Sequence, residues 1–293
     1  MLPESKQGRV VVEELRARLA ATATRLALYA ILVATAAWAA FPLIWMAVSS
    51  LKTPAELVRL PPVWWPSSPS LDAYRTVFEV LPYGRSLINS ILIAGGDTLA
   101  ILITSIMAGF VFAKYEFRGR EQLFIAVLAT MFVPVIVTVV PLFHVVQTLG
   151  LADSYAGVML PQLANAFGIF LMRQFIRGIP DELIDAARVD GASEWTVLWR
   201  VVVPLLGPAI ATLGLFAFVY HWNSFLWPLT ILQSPEKFTV VVAMSQLLNY
   251  TSSIELQNVV MAGALVSILP NVLLFVLLQR FFVSSLAQAG IKG

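Results

Sequence analysis

Few side chains in this sequence are placed to do chemistry inside an apolar medium. Asp97 and His144 are the ionisable groups that fall well inside long apolar stretches. A charge at such a depth costs about 2.5–3.5 kcal/mol on insertion scales. Asp97 has two readings. It lines a polar path and accepts hydrogen bonds from a solute, or it is a structural acid, protonated or hydrogen-bonded beside Gly95-Gly96, where small residues let helices approach. The structural role is the expectation, and His144 is read as a satisfied polar residue. Asn89, Tyr220, Trp222, Asn223 and Trp227 combine planar hydrogen-bonding groups with aromatic faces, a combination that suits a pyranose. Packing or an interfacial belt explains the tryptophans equally well. Two His and no Cys leave little with which to hold a metal. There is no serine-nucleophile elbow and no Gly-x-x-x-x-Gly-Lys-Ser/Thr phosphate loop. No catalytic residue, no metal and no cofactor bound by this chain are expected.

The medium is set by composition. Of the 293 residues, 59% are hydrophobic and 12% charged, and the mean hydropathy is +0.82. Lipid is the better solvent for such a chain. The net charge of +2 and the lack of a basic cluster argue against a nucleic-acid partner. Six stretches have the length of membrane helices, near Leu26–Val48, Leu87–Phe112, Leu123–Val146, Tyr155–Met172, Val201–Tyr220 and Val259–Phe282. Basic residues crowd one side: Lys6, Arg9, Arg16, Arg18 and Arg25 in the leader, then Lys114, Arg118, Arg120, Arg173, Arg177, Arg188, Arg200, Arg280 and Lys292. The other side holds Lys52, Arg59, Arg75, Arg85 and Lys237. Both ends are therefore expected in the cytoplasm. The divisions expected are a leader over 1–25, a membrane domain over 26–283 and a tail over 284–293. The leader has no cleavage site and reads as a surface amphipathic helix or a disordered segment. Pro61-Pro62-Val63-Trp64-Trp65-Pro66 on the outer side reads as an interfacial anchor or a docking point for an external partner.

One connector, 173–203, carries more polar residues than a plain link needs. Pro180 suits a helix start, and Asp181, Glu182 and Asp185 favour its first turns. Gly191 provides a break that tolerates positive φ, and Ser193 can cap a second helix. Trp195, Leu198, Trp199 and Val202 then form an apolar stripe leading directly into the fifth span. Pro204 and Pro208 stand in its first turns, where a kink costs least. The pattern predicts a helix–turn–helix on the cytoplasmic surface, rigidly joined to a membrane helix.

Ala186, Ala187, Asp190, Gly191, Ala192 and Pro204 match the spacing of the coupling loop of ABC-importer permeases, with Asp185 where Glu is usual and Trp199 where Phe is usual. Trp222-Asn223-Ser224-Phe225-Leu226-Trp227-Pro228-Leu229, Asn89-Ser90, Met261-Ala262-Gly263 and the end Gly290-Ile291-Lys292-Gly293 resemble the carbohydrate-importer branch, in its smaller maltose-type or glycerol-phosphate-type second permease. The resemblance implies an all-α, six-helix, type I importer fold in the cytoplasmic membrane of a bacterium or archaeon. It implies a separate ATPase, contacted by Asp185, Ala186, Ala187, Asp190, Gly191, Ala192, Trp199, Pro204, Lys292 and Gly293, where ATP and Mg would bind. Further implied partners are a second, different permease, two copies of the ATPase and an extracytoplasmic solute-binding protein. The solute implied is a sugar; alternatives are another solute such as glycerol phosphate, or an ion-coupled carrier.

Overall fold

The computed structural model describes the backbone of residues 4–250 and 256–290, and side chains over 18–249 and 256–279. Thr251-Ser252-Ser253, Lys292 and Gly293 lie outside the described residues. The described chain is helical, with no strand. Helix α1 spans Glu4–Ser49, so the expected leader and the first span form one continuous helix. Its residues from 18 to 41 are rich in Ala, Leu and Thr and carry no Gly or Pro to stop it. A short α2 (Pro54–Leu57) and α3 (Asp72–Val80) follow, and then the long α4 (Tyr83–Lys114). By length and composition α1 from Arg18, α4 and the last helix, over Gln257–Gln279, can each cross a membrane unbroken.

The other three expected spans are broken. The third consists of α5 (Arg120–Ala129), a 3-10 turn and α6 (Val135–Thr148), bent by 101°. Pro134 is the cause: it offers no N–H, and it drives Val133 to φ −80°, ψ 116°. The fourth consists of α7 (Tyr155–Met159), a 3-10 turn over Leu160–Gln162 and α8 (Ala166–Arg177), bent by 45°. Here Asn165 restarts the helix by accepting from Gly168 N at 2.8 Å. The carbonyl of Leu163, freed by the break, accepts from Thr104 Oγ of α4 at 2.8 Å. A backbone group released at this depth needs such a partner because lipid supplies none. The connector forms α9 (Asp181–Val189), α10 (Glu194–Thr196), a π turn over Val197–Val202 and α11 (Val203–Leu205). It then bends by 83° into α12 (Gly207–Trp222). The chain closes with α13 (Leu226–Ile231), α14 (Val240–Tyr250) and α15 (Gln257–Gly290).

Helix α4 is the axis, packed along one side by α8 and along another by α12. At the connector end the core holds Ile106, Phe110, Met172, Ile176, Ile184, Val197, Val202 and Leu213. At the far end it holds Val77, Tyr83, Trp222, Val240, Leu247 and Ala262. A Cβ added at Gly109 would sit 2.7 Å from Met172 Cβ and 2.9 Å from the Arg173 backbone N, so the two helix backbones nearly touch there. Gly168 makes the reciprocal approach, towards Ser105 of α4.

The far end is tied by polar contacts. Asp153, at φ 51°, accepts from Gln233 N at 2.9 Å, Ser234 N at 3.0 Å and Ser234 Oγ at 2.6 Å, and pairs with Lys237 Nζ at 2.9 Å. The Ser234 hydroxyl and Lys237 hold its carboxyl well below the usual carboxylate range. In the aromatic segment Trp64 and Trp65 are both exposed, and Trp64 also meets Trp45 of α1 edge-on at 5.4 Å.

Gly109→Val is expected to destabilise the folded chain by about 1–3 kcal/mol through overpacking. The comparison is Gly95→Val, where an added Cβ meets nothing within 4 Å. Thermal melting in detergent measures both; equal melting points would show that the contact at Gly109 is dispensable.

Candidate functional site

The connector forms the turn its sequence predicts. Pro180 precedes α9, and Asp181 and Glu182 occupy its first turn. Gly191 takes φ +81°. The Ala192 N–H donates to Ala187 O and the Gly191 N–H to Arg188 O, each at 3.0 Å, which is a Schellman ending. Ser193 Oγ then accepts from Thr196 N at 3.3 Å to start the next helix. Ile184 is buried beneath the turn, and Ala187 and Ala192 pack on the core where larger side chains would lift it off. Outward stand Leu183, Asp185, Ala186, Val189 and Asp190. Val189 is 88% exposed. An apolar side chain this bare, flanked by Leu183 and Ala186, fits a surface that a partner covers.

The stripe after Ser193 is not wholly inward: Leu198 and Val202 are buried, but Trp195 is exposed and packs edge-on against the half-buried Trp199 at 5.6 Å. The joint to the fifth span is bent. Pro204 starts α11, Pro208 lies in the first turn of α12, and the 83° bend at Leu206 between them is an elbow.

The connector is also fastened sideways. Lys114 Nζ, at the end of α4, lies 2.6 Å from Asp181 Oδ1 and donates to Ile179 O at 2.5 Å. Arg173, buried on α8, pairs with Glu121 Oε1 at 2.5 Å, donates to Phe112 O at 3.1 Å and stacks 3.9 Å above Phe124. Arg188 bridges the turn. Its Nε and Nη2 donate to the two carboxylate oxygens of Glu194 at 2.8 and 3.1 Å, and its Nη1 to Asp185 Oδ1 at 3.2 Å. Tyr115, just past α4, donates to the same Glu194. Arg188 and Tyr115 hold the Glu194 carboxyl below its usual range. Burial pushes the Tyr115 phenol up, and the hydrogen bond and charge of Glu194 add to that. Tyr115, Arg188 and Glu194 as a unit were not foreseen. The spacing of Arg188 and Glu194 across a Gly turn carried some signal, whereas Tyr115 is brought in by tertiary packing alone.

The residues expected along a solute path divide. Asn89 is spent on the protein: its Nδ2 donates to Glu236 O at 2.9 Å and Phe238 O at 3.0 Å, and its Oδ1 accepts from Tyr155 at 2.7 Å. Trp222 is buried and donates to Ser267 O at 3.0 Å. Both hold the far end together in place of facing a sugar. Trp227 likewise donates to Val158 O at 3.1 Å. Asn223 is exposed but donates back to Val219 O at 2.8 Å, and His144 is exposed. Asp97 is fully buried, with Oδ2 3.2 Å from Nδ1 of the buried His221. His221 was missed because it stands at the end of its span; its meeting with the middle of α4 follows from how α12 crosses that helix. Tyr220 is exposed and lies edge-on to His221 at 5.1 Å. Among the described residues no group of His, Cys, Asp and Glu could hold a metal.

The comparisons with known proteins agree on one relationship. The family model described as binding-protein-dependent transport system inner membrane component matches residues 100–287. The chain is 34% identical over 259 residues to the arabinooligosaccharides transport system permease protein AraQ of Halalkalibacterium halodurans, covering 87% of this chain and 92% of that protein. It is 32% identical over 258 residues to the lactose transport system permease protein LacG of Rhizobium radiobacter, covering 88% and 93%. Its backbone resembles a chain in the crystal structure of a bacterial ABC transporter involved in the import of the acidic polysaccharide alginate. The TM-score is 0.76 at 25% identity, covering 96% of this chain and 99% of that one. The helical fold is thus similar to that of a known ABC transporter chain, and the chain belongs to the family of binding-protein-dependent transport system inner membrane components.

Proposed function

We propose that this chain is one half of the translocation path of an ATP-driven carbohydrate importer, and that its connector takes force from a separate ATPase. The carrying observation is the outward face of α9, where Leu183, Ala186 and the bare Val189 surround Asp185 on a turn fastened to α4. That face would sit on the ATPase, which binds ATP and Mg, with Lys292 and Gly293 reaching the same partner. Asp185 keeps a charge at this surface, although Arg188 shares it. Lys114, Arg118, Arg120, Arg173, Arg177, Arg188 and Arg200 gather at the connector end. This supports a cytoplasmic connector and cytoplasmic termini. The opposite end would then meet the extracytoplasmic binding protein. A different permease would supply the other half of the path, and two ATPase copies would serve the pair.

In this arrangement a push on α9 acts on α4 through Lys114–Asp181 and on α12 through the elbow at Leu206. Arg188, Glu194 and Tyr115 keep the two connector helices moving as one body. The sugar reading draws on the printed substrates of the similar permeases, an arabinooligosaccharide and lactose.

Uptake of radiolabelled arabinotriose and lactose by the assembled importer in lipid vesicles tests the reading. Accumulation of neither sugar would refute the substrate class. Gly191→Pro cannot adopt φ +81° and loses the N–H that meets Arg188 O. This variant is expected to insert in the membrane but neither to co-purify with the ATPase nor to take up solute. Normal uptake would sink the coupling assignment. Arg188→Met should cost about 1 kcal/mol or less in stability, since Arg188 and Glu194 are partly exposed. It should nevertheless lower the number of sugars moved per ATP hydrolysed, with Arg188→Lys intermediate because ammonium cannot form the fork. An unchanged ratio for Arg188→Met would show that the clamp carries no force.

A further inference from the structure

The break in the fourth span opens a cavity of about 510 Å³ between α8 and α12, lined by Asn165, Phe167, Phe216, Val219, Tyr220 and His221 among others. Asn165 stands at the start of α8, within the span. Its Oδ1 is used to cap Gly168 N, and its Nδ2 has no partner among the described residues. The first N–H groups of α8 have no helical carbonyl ahead of them. His221 contributes a side chain that is 5% exposed, with Nδ1 3.2 Å from Asp97 Oδ2. That separation lacks hydrogen-bond geometry, so Asp97 does not set the tautomer of His221, whose imidazole can donate to or accept from a hydroxyl. Phe167, Phe216 and Tyr220 expose their rings. Among the described residues no Lys, Arg, Asp or Glu lines the cavity.

We infer that this cavity is a subsite for a neutral sugar ring in transit. Asn165 Nδ2 is the hydroxyl donor, the His221 imidazole a second hydroxyl partner, and Tyr220 with the two phenylalanines the platform for the apolar face of the ring. The charge-free lining suits a neutral ring and disfavours an acidic one. This assignment rests on the sugar-importer reading above. The competing occupant is a helix of the companion permease.

The chain has no cysteine, so Val219→Cys places a single thiol in the cavity wall. The importer would be assembled in lipid vesicles with its companion permease, ATPase and binding protein, and given arabinotriose or lactose, whichever the wild type accumulates. Alkylation of the introduced thiol by a small maleimide is expected to slow about tenfold when sugar-loaded binding protein and ATP are present, and not with empty binding protein. Asn165→Asp keeps the cap on Gly168 but loses the donor, and Tyr220→Ala loses the platform. Each should reduce uptake about tenfold, the worth of roughly one hydrogen bond or ring contact, with the companion still bound. Sugar-independent alkylation in an importer that takes up sugar would overturn the subsite. So would a thiol blocked on assembly whether or not sugar is present, because the companion then fills the cavity. A wild type that accumulates neither sugar would refute the importer reading instead, and is told apart by that control.

Discussion

The close approach of α4 and α8 governs the rest of the molecule. Without side chains at Gly109 and Gly168 the backbones come near enough for Lys114 and Arg173 to reach across the connector end of the bundle. Both basic groups are nearly buried, and each is placed only because a carboxylate and a backbone carbonyl lie within reach. Push the helices apart by one methyl group and the ammonium and guanidinium lose these partners together. In lipid, where apolar contact between helices gains little over contact with acyl chains, such close fitting is the main source of association.

Much of this was legible in the chain, and what was not has physical causes. The six apolar stretches are present, as is the helix–turn–helix with Gly191 at positive φ. Hydropathy counts apolar residues and is blind to direction, so it joined α5 to α6 across Pro134 and α7 to α8 across Asn165. Proline chemistry marked the elbow near Leu206, but its 83° angle depends on what α12 packs against. Asn89 and Trp222 were legible as polar groups in an apolar setting. Their partners, Phe238 O and Ser267 O, lie far along the chain, and a single sequence holds no record of that distance. The meeting of Asp97 with His221 is of the same kind.

The broken spans share one logic. Each releases backbone groups that lipid cannot satisfy, and at the fourth the repair is visible: Thr104 takes up Leu163 O, and Asn165 takes up Gly168 N. A break repaired by a neighbouring helix can bend without exposing a peptide group to hydrocarbon. This is where a bundle of this kind can change shape cheaply, whereas the unbroken α4 has no such point.

Helix α1 has a different fate. From Leu19 through Trp38 its side chains are bare of protein contact, and packing begins with the stack of Phe41, Trp45 and Trp64. Nothing among the described residues fixes the shape of those earlier residues. Leu, Ile, Val and Ala are interchangeable there so long as the stretch stays greasy, because the bilayer judges transfer energy and not fit. Over evolutionary time that half of α1 is free to drift within a hydropathy limit, and any position in it that resists drift must be answering to a surface belonging to another subunit.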